Sequence, residues 1–144
     1  MAELSSFDAG YLVGILIGEG SFGGDGKQPQ VTLRMHTRHR ALFTWIIARL
    51  PETRLYGPYE HGGRSYYQWM ARGRVLVSEV MPLLDTYLMP ELDEYAFQRY
   101  TEMKERYAQF IARERSRVRA DETTEQQSSA PQQQSEQRLT PYDN

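Results

Sequence analysis

The segment Tyr11-Leu-Val-Gly-Ile-Leu-Ile-Gly-Glu-Gly-Ser-Phe22 combines a short apolar run with regularly spaced glycines and a single carboxylate. Gly10, Gly14 and Gly18 recur every four residues, so they share one face of the helix predicted over residues 7–18. Each glycine inside a helix costs about 1 kcal/mol relative to alanine, and close approach of another helix is the expected compensation. The interface between two such helices is predicted at Gly10, Val13, Gly14, Ile17 and Gly18.

Glu19 follows directly at the C-terminal end of this helix. The helix dipole disfavours a carboxylate there, and a second copy of the chain meeting the first at the glycine face would add repulsion between like charges. A divalent cation relieves both effects, and oxygen ligands suit Mg²⁺. The alternative is a solvent-exposed Glu at a helix end, which is so common that Glu19 alone is weak evidence for a metal site.

The basic residues are concentrated in the middle of the chain. The 144 residues carry a net charge of -2, but residues 27–74 hold nine lysines and arginines against two glutamates, which gives +7. Residues 1–26 hold four acidic residues and no lysine or arginine. This distribution favours a surface that faces a polyanion such as DNA. The alternative is a solvated sheet face that is basic without any partner.

The composition narrows the class of protein. The chain has no cysteine, which excludes disulfides and thiolate metal sites. We expect no signal peptide, because no basic segment precedes a long apolar run. We expect no membrane span either, because the apolar stretch at residues 11–18 is far shorter than the roughly 20 residues needed. A cytoplasmic protein is predicted.

The spacing of apolar residues predicts an α+β fold with the element order αββαββα. Helices are expected over residues 7–18, 39–50, 75–88 and 92–111. A first hairpin turns near residues 24–26, and strands are expected at residues 30–37, 54–59 and 64–72. This order suggests an antiparallel sheet with helices on one face.

We place the domain at residues 1–113, with Tyr87 and Leu92 directed towards its core. Residues 114–144 are expected to hold the end of the last helix and a polar tail. From about Asp121 the sequence is rich in Gln, Ser and Glu and poor in apolar residues, which predicts disorder.

Alternation along the strands identifies the face of the sheet that the helices leave uncovered. Arg34 and Gln68 lie on it, and acidic residues are nearly absent, whereas an ordinary solvent face mixes both signs of charge. Arg and Gln can bind base edges in the major groove, and Arg or Lys can hold phosphates. The predicted DNA-contacting residues are Lys27, Thr32, Arg34, His36, Arg38, Arg54, Tyr56, Arg64, Tyr66, Gln68, Arg72 and Arg74.

The sequence resembles the LAGLIDADG homing endonuclease family over about residues 7–113. Leu12-Val-Gly-Ile-Leu-Ile-Gly-Glu-Gly20 is similar to the family signature in its GEGSF form. The segments TLRMHTRHRALF at 32–43, GGRSYYQW at 62–69 and MPLLDTYL at 81–88 fall where the family has matching elements. The resemblance implies a saddle-shaped sheet in the DNA major groove and signature helices packed at a dimer interface.

The same resemblance implies a catalytic site. Glu19 would be the catalytic, metal-binding acid, with the Gly18 carbonyl as a neighbouring ligand of Mg²⁺ or another divalent cation. Because the chain carries one copy of a motif that works in pairs, the resemblance implies a homodimer acting on double-stranded DNA.

Two departures from the family pattern bear on cleavage. Active members commonly carry Gln at the end of the second strand, where this chain has Thr37. They also carry a Lys before the last helix, where this chain reads Pro90-Glu-Leu-Asp-Glu94, and Arg38, Arg40 or Arg74 are candidates to replace it. Three functions remain: a homodimeric Mg²⁺-dependent endonuclease, a cleavage-deficient DNA-binding regulator on the same scaffold, and a protein-interaction scaffold.

Two other patterns point to ligands that we do not expect. Residues 18–23 match the glycine spacing of a nucleotide-binding loop, but a helix precedes them and a hairpin follows, whereas a dinucleotide fold needs a strand and then a helix. His36, His39 and His61 lack the spacing and the cysteine partners typical of zinc sites. Neither a nucleotide cofactor nor zinc is predicted.

Overall fold

The computed structural model describes residues 4–128. Its helices are α1 (Ser6–Glu19), α2 (Arg40–Arg49), α3 (Gly73–Val75, continued by a π-helical turn at Leu76–Val80 and by Met81–Tyr87), α4 (Glu94–Arg106) and α5 (Ala108–Ser128). Its strands are β1 (Gly20–Gly24), β2 (Pro29–His36), β3 (Arg54–His61) and β4 (Arg64–Arg72). The first seven elements follow the predicted order αββαββα, and α4 and α5 extend it.

The four strands form one antiparallel sheet in the order β1-β2-β4-β3. The two hairpins therefore meet through β2 and β4, which pair along seven residues from Gln30 opposite Arg72 to His36 opposite Tyr66. The prediction of an α+β fold with an antiparallel sheet is confirmed.

The helices bury one face of this sheet. Val31 and Leu33 of β2 and Trp69 and Ala71 of β4 are fully buried, as their alternation predicts. The indole N–H of Trp69 donates a hydrogen bond to the Thr53 hydroxyl, at 2.8 Å. A buried donor without a partner would be destabilising, so this contact fixes the indole within an otherwise apolar core.

The predicted helix over residues 92–111 is in fact two helices. The break falls at Tyr107, whose buried hydroxyl accepts the backbone N–H of Gly26 in the β1–β2 turn at 3.0 Å.

The inward positions predicted for Leu92 and Tyr87 are also wrong. Leu92 precedes the start of α4 and is 74% exposed, and Tyr87 is exposed at the end of α3.

The last described helix continues further than the composition predicts. Helix α5 runs to Ser128 and packs against α3, so the prediction of disorder from Asp121 is wrong for residues 121–128. Residues 121–127 are exposed along this helix, and Asp121 forms an ion pair with Arg74 of α3. The rest of the predicted tail lies outside the described residues.

No helix within residues 4–128 is both long enough and apolar enough to span a membrane.

Candidate nucleic-acid interface

The uncovered face of the sheet carries the predicted basic residues. Directly opposed residues of β2, β4 and β3 lie on the same side of the sheet, for example Arg34 with Gln68 and Gln68 with Tyr56. Within the four strands the one acidic residue is Glu60, which opposes Ser65 and so alternates to the other face. The predicted residues on this face are Thr32, Arg34, His36, Arg54, Tyr56, Arg64, Tyr66, Gln68 and Arg72.

A bulge in β3 adds two residues that sequence reasoning missed. The register shifts between Tyr56 and Tyr59, so that Tyr59 opposes Tyr66 and His61 opposes Arg64. Both therefore lie on the uncovered face with Tyr56, although simple alternation would place them on the opposite face. The Gly57-Pro58 pair at the bulge was the available signal, because Gly and Pro inside a strand often mark one.

Basic side chains line a concave pocket where β2 ends beside the β3–β4 hairpin. Arg34, His36, Arg38, His61 and Arg64 all contribute to its wall. The ring nitrogen Nδ1 of His36 accepts the backbone N–H of Arg38 at 3.0 Å, so in the neutral ring the proton is on Nε2. An anionic group in this pocket would therefore meet donors from several directions.

Lys27 lies at the far end of the same face, in the β1–β2 turn. The turn is held by Asp25, whose carboxylate accepts the backbone N–H groups of Gln28 and Lys27, both at 2.9 Å. These two hydrogen bonds lower the pKa of Asp25 below its ordinary value. The Lys27 side chain itself is exposed.

Arg74 differs from the other predicted DNA contacts because it already has an anionic partner. It forms an ion pair with Asp121 of α5, and this hydrogen bond raises the pKa of the Arg74 guanidinium. Both side chains are about half exposed, so solvent weakens the pair. Arg74 lies near Arg54 and Arg72, and its role as a DNA contact stays a prediction.

Glu19 lies at the corner where α1 turns into β1. A Cβ atom on Gly20 would lie 2.5 Å from the Leu16 carbonyl oxygen, so the turn needs glycine at this position. The turn leaves the Glu19 side chain exposed, in a pocket that also contains Thr32, Arg34 and Gln68. The carboxylate is thus placed beside the basic sheet face.

The same pocket contains a base that sequence reasoning did not single out. Arg99 of α4 lines it together with Glu19, whereas Arg38, Arg40 and Arg74 do not. Helix α4 packs against β1, where Phe22 and Tyr100 meet edge to face with ring centroids 5.8 Å apart. This packing between distant parts of the chain places Arg99 in the same pocket as Glu19. Nothing in the sequence around Arg99 indicates that position.

Two oxygen donors for a cation lie at the Glu19 corner. Within residues 4–128 no three His, Cys, Asp or Glu side chains lie close enough together to hold a metal ion. The Glu19 carboxylate and the Gly18 carbonyl are adjacent oxygen donors at an exposed corner. Mg²⁺ is usually held by one or two carboxylates and several waters, so these donors fit a cation shared with a second carboxylate.

The glycine face of α1 is open. Cβ atoms added at Gly10, Gly14 and Gly18 would meet nothing within 4 Å, so these glycines are not required by packing inside one chain. Two aromatic residues lie on this side of the helix: Phe7 is 74% exposed and Tyr11 is 47% exposed. The face is therefore free to receive another helix.

The predicted interface is wrong at one residue. Val13 is 3% exposed and belongs to the core of the chain, and Ile17 is partly buried against that core. Tyr11 takes the outer position instead, stacked on Phe7 at 5.7 Å and edge to face with Trp45 of α2 at 5.3 Å. Glycine spacing alone could not reveal that the core reaches as far as Val13 on this helix.

Comparison with known proteins identifies the fold. No protein-family model and no curated protein matches the sequence. Among solved structures, the group I intron-encoded homing endonuclease I-CeuI complexed with DNA matches with a TM-score of 0.54 and 16% identity, over 72% of this chain and 55% of its own. The homing endonuclease I-TnaI matches with a TM-score of 0.53 and 14% identity, over 80% of this chain and 77% of its own.

At these identities the match concerns the fold. The chain has the LAGLIDADG homing endonuclease fold, which confirms the fold that the resemblance of residues 7–113 implies. It spans about half the length of I-CeuI.

Proposed function

We propose that this protein is a homodimeric double-stranded DNA-binding protein that hydrolyses phosphodiester bonds at a partly palindromic site with the help of Mg²⁺ or another divalent cation. One observation carries the proposal. Glu19 lies where an acid-free, basic sheet face meets an open glycine face on α1. Within residues 4–128 neither surface is covered by another element, and Glu19 lies between them.

DNA is the partner that fits the sheet face. Backbone phosphates are recognised by Arg, Lys and backbone N–H groups, and base edges by Arg and Gln. The uncovered face offers Arg34, Arg64 and Arg72 on the inner strands together with Gln68, and its acidic residue count is zero within the four strands. I-CeuI, which has the same fold, is seen complexed with DNA.

A second copy of this chain is the partner that fits the glycine face. Small residues allow two helices to approach closely, and a two-fold axis would bring the same glycines together from both copies. Phe7 and Tyr11 flank the glycines and would be buried by the approach. Two copies of Glu19 would then lie near the axis, which supplies the second carboxylate that one chain lacks.

The proposed roles in cleavage follow from this arrangement. When bound, the metal would activate water and stabilise the leaving oxygen. Glu19 would hold it, with the Gly18 carbonyl beside it. Arg99 would face the scissile phosphate from α4 and offset the negative charge that develops there.

A second candidate is a DNA-binding regulator that does not cut. It is favoured by Thr37 and by the acidic segment at residues 90–94, which stand where a polar and a basic residue are expected in active relatives. A protein-interaction scaffold is a weaker third candidate, because it gives no reason for a sheet face without acidic residues.

The Glu19→Gln variant separates these candidates. It removes the charge and keeps the shape, so we expect binding of a selected duplex within about twofold of wild type and cleavage in Mg²⁺ reduced to background. Glu60→Gln is the matched control, because it makes the same change on the other face of β3 and should cut normally. Undiminished cutting by Glu19→Gln would refute the assignment of the site, and a wild-type protein that binds the duplex but never cuts it would favour the regulator.

A further inference from the structure

Arg34 and Gln68 form a cross-strand pair at the middle of the sheet. They oppose each other directly on β2 and β4, the two inner strands, with both side chains on the uncovered face. The Nε–H of Arg34 donates a hydrogen bond to the Gln68 side-chain oxygen Oε1 at 2.8 Å. Since a guanidinium has no acceptor, the amide must turn its oxygen towards Arg34.

The hydrogen bond also orients the guanidinium. It engages Nε and leaves the two terminal nitrogens for other partners, because no other hydrogen bond or ion pair involves this side chain within residues 4–128. The ring of Tyr66 lies beside it, with its centroid 5.9 Å from the guanidinium carbon. The terminal N–H groups are thus held as a fork that faces away from Gln68.

The two terminal nitrogens of Arg34 present only hydrogen-bond donors to a ligand. The Gln68 oxygen has two lone pairs and uses one for Arg34, so that amide keeps one acceptor position and its NH₂ group. In the major groove guanine shows two acceptors, adenine one acceptor and one donor, cytosine a donor, and thymine one acceptor beside a methyl group. Two parallel donors match guanine alone, so the Arg34 fork is the part of the pair that favours guanine.

We propose that the Arg34–Gln68 pair reads a guanine through its N7 and O6 atoms in each half of the DNA site. Arg34 makes the two hydrogen bonds, and Gln68 is a positioning residue that holds the fork. The proposal rests on the DNA-binding function proposed above. Both residues share a pocket with Glu19, so the guanine belongs to the inner part of each half-site, near the two-fold axis.

The test replaces the N7 acceptor in the DNA. A duplex obtained by selection on the wild-type protein is prepared with 7-deazaguanine at the inner guanine, a change that keeps base pairing intact. A good bidentate contact discriminates by roughly 1–3 kcal/mol, and about half of it should be lost, so we expect wild-type affinity to fall about 2- to 15-fold. With Arg34→Ala the same replacement should change affinity by less than about twofold.

Two variants serve as controls. Gln68→Met keeps the side-chain length but removes the acceptor, so it should bind DNA with a reduced preference for the inner guanine. Arg54→Ala removes a cation from the edge strand, and it should weaken binding to all duplexes while remaining sensitive to 7-deazaguanine.

Three outcomes would overturn the proposal. The first is selection of a palindromic site without an inner guanine, and the second is an equal response of wild type and Arg34→Ala to 7-deazaguanine. Either result leaves the DNA-binding function standing and removes the guanine assignment. Failure to recover any duplex would remove both.

Discussion

Glu19 and Arg99 come from distant parts of the chain and meet in one pocket beside the sheet face. Arg99 is about half exposed and forms an ion pair with Glu102 at 3.4 Å, one turn along α4. An exposed pair of this kind is weak, so the guanidinium can turn to a phosphate without a large loss. Arg99 thus supplies a positive charge beside Glu19, whereas the acidic segment at residues 90–94 supplies none.

Removal of this charge should affect cleavage more than binding. We expect Arg99→Ala to lower the single-turnover cleavage rate about 100-fold, the usual effect of removing one group that stabilises a transition state, with duplex affinity within about threefold. Arg106→Ala is the control, since it removes a cation from the same helix outside the pocket. Equal cleavage rates for the two variants would show that Arg99 has no part in the chemistry.

The contrast between Glu19 and Arg99 indicates what sequence can reveal about single residues. Glu19 was predictable because its neighbours in the chain set its surroundings: a helix end, a glycine corner and a short hairpin. Arg99 and the Arg74 partner Asp121 depend on contacts between elements far apart in sequence. Val13 was misplaced for the same reason, because spacing along α1 does not tell how much of the helix the core covers.

At the scale of elements, α5 is the part of the fold that composition predicted least well. It places Asp121 on Arg74, and Arg74 lines a pocket together with Arg72 and Arg54. The acid competes there with any phosphate that approaches the rim. The pair should therefore weaken DNA binding at this end of the face.

The Asp121→Asn variant tests this competition. It frees Arg74 and removes one negative charge, so we expect DNA affinity to rise by up to about fivefold, the range of an exposed ion pair, and the salt dependence of binding to become steeper. Glu122→Gln removes the same charge one residue away and should have a smaller effect. Equal effects of the two variants would mean that net charge, rather than the contact with Arg74, is responsible.

The glycine face of α1 predicts where two copies of the chain meet in a dimer. A leucine at Gly14 meets open space within one chain, so Gly14→Leu should fold at least as stably as wild type, by up to about 1 kcal/mol from helix propensity. In a dimer packed through this face it would collide with the partner helix. We expect wild-type dimers and Gly14→Leu monomers by sedimentation, and Gln109→Leu on α5 as an exposed control that stays dimeric. A dimeric Gly14→Leu variant would place the interface elsewhere.

Most elements were predictable, and the exceptions have physical causes. The helices and strands up to α3 follow from apolar spacing, because each has one face in a common core. The break at Tyr107 was not predicted, because the apolar spacing runs on through it, and the contact of the Tyr107 hydroxyl with the backbone N–H of Gly26 joins residues 81 positions apart. The bulge in β3 changed which residues face outward, and only the Gly57-Pro58 pair indicated it.

At the scale of the whole molecule, a net charge of -2 conceals two surfaces for which we propose different partners. The sheet face carries the cations, and within residues 4–128 no atom lies within 4 Å of a Cβ added at Gly10, Gly14 or Gly18 on α1. A two-fold dimer would join two sheet faces into one continuous surface with both copies of Glu19 at its centre. Such a surface matches a duplex whose two halves are related by the same symmetry.

Selection of duplexes from a random DNA library tests this claim most directly. The purified wild-type protein is used, with Ca²⁺ present so that bound duplexes are retained rather than cut. The account predicts enrichment of a palindromic or partly palindromic site, bound by two chains per duplex and cut once Mg²⁺ is supplied. Enrichment of no motif, with binding that disappears at modest salt, would contradict it.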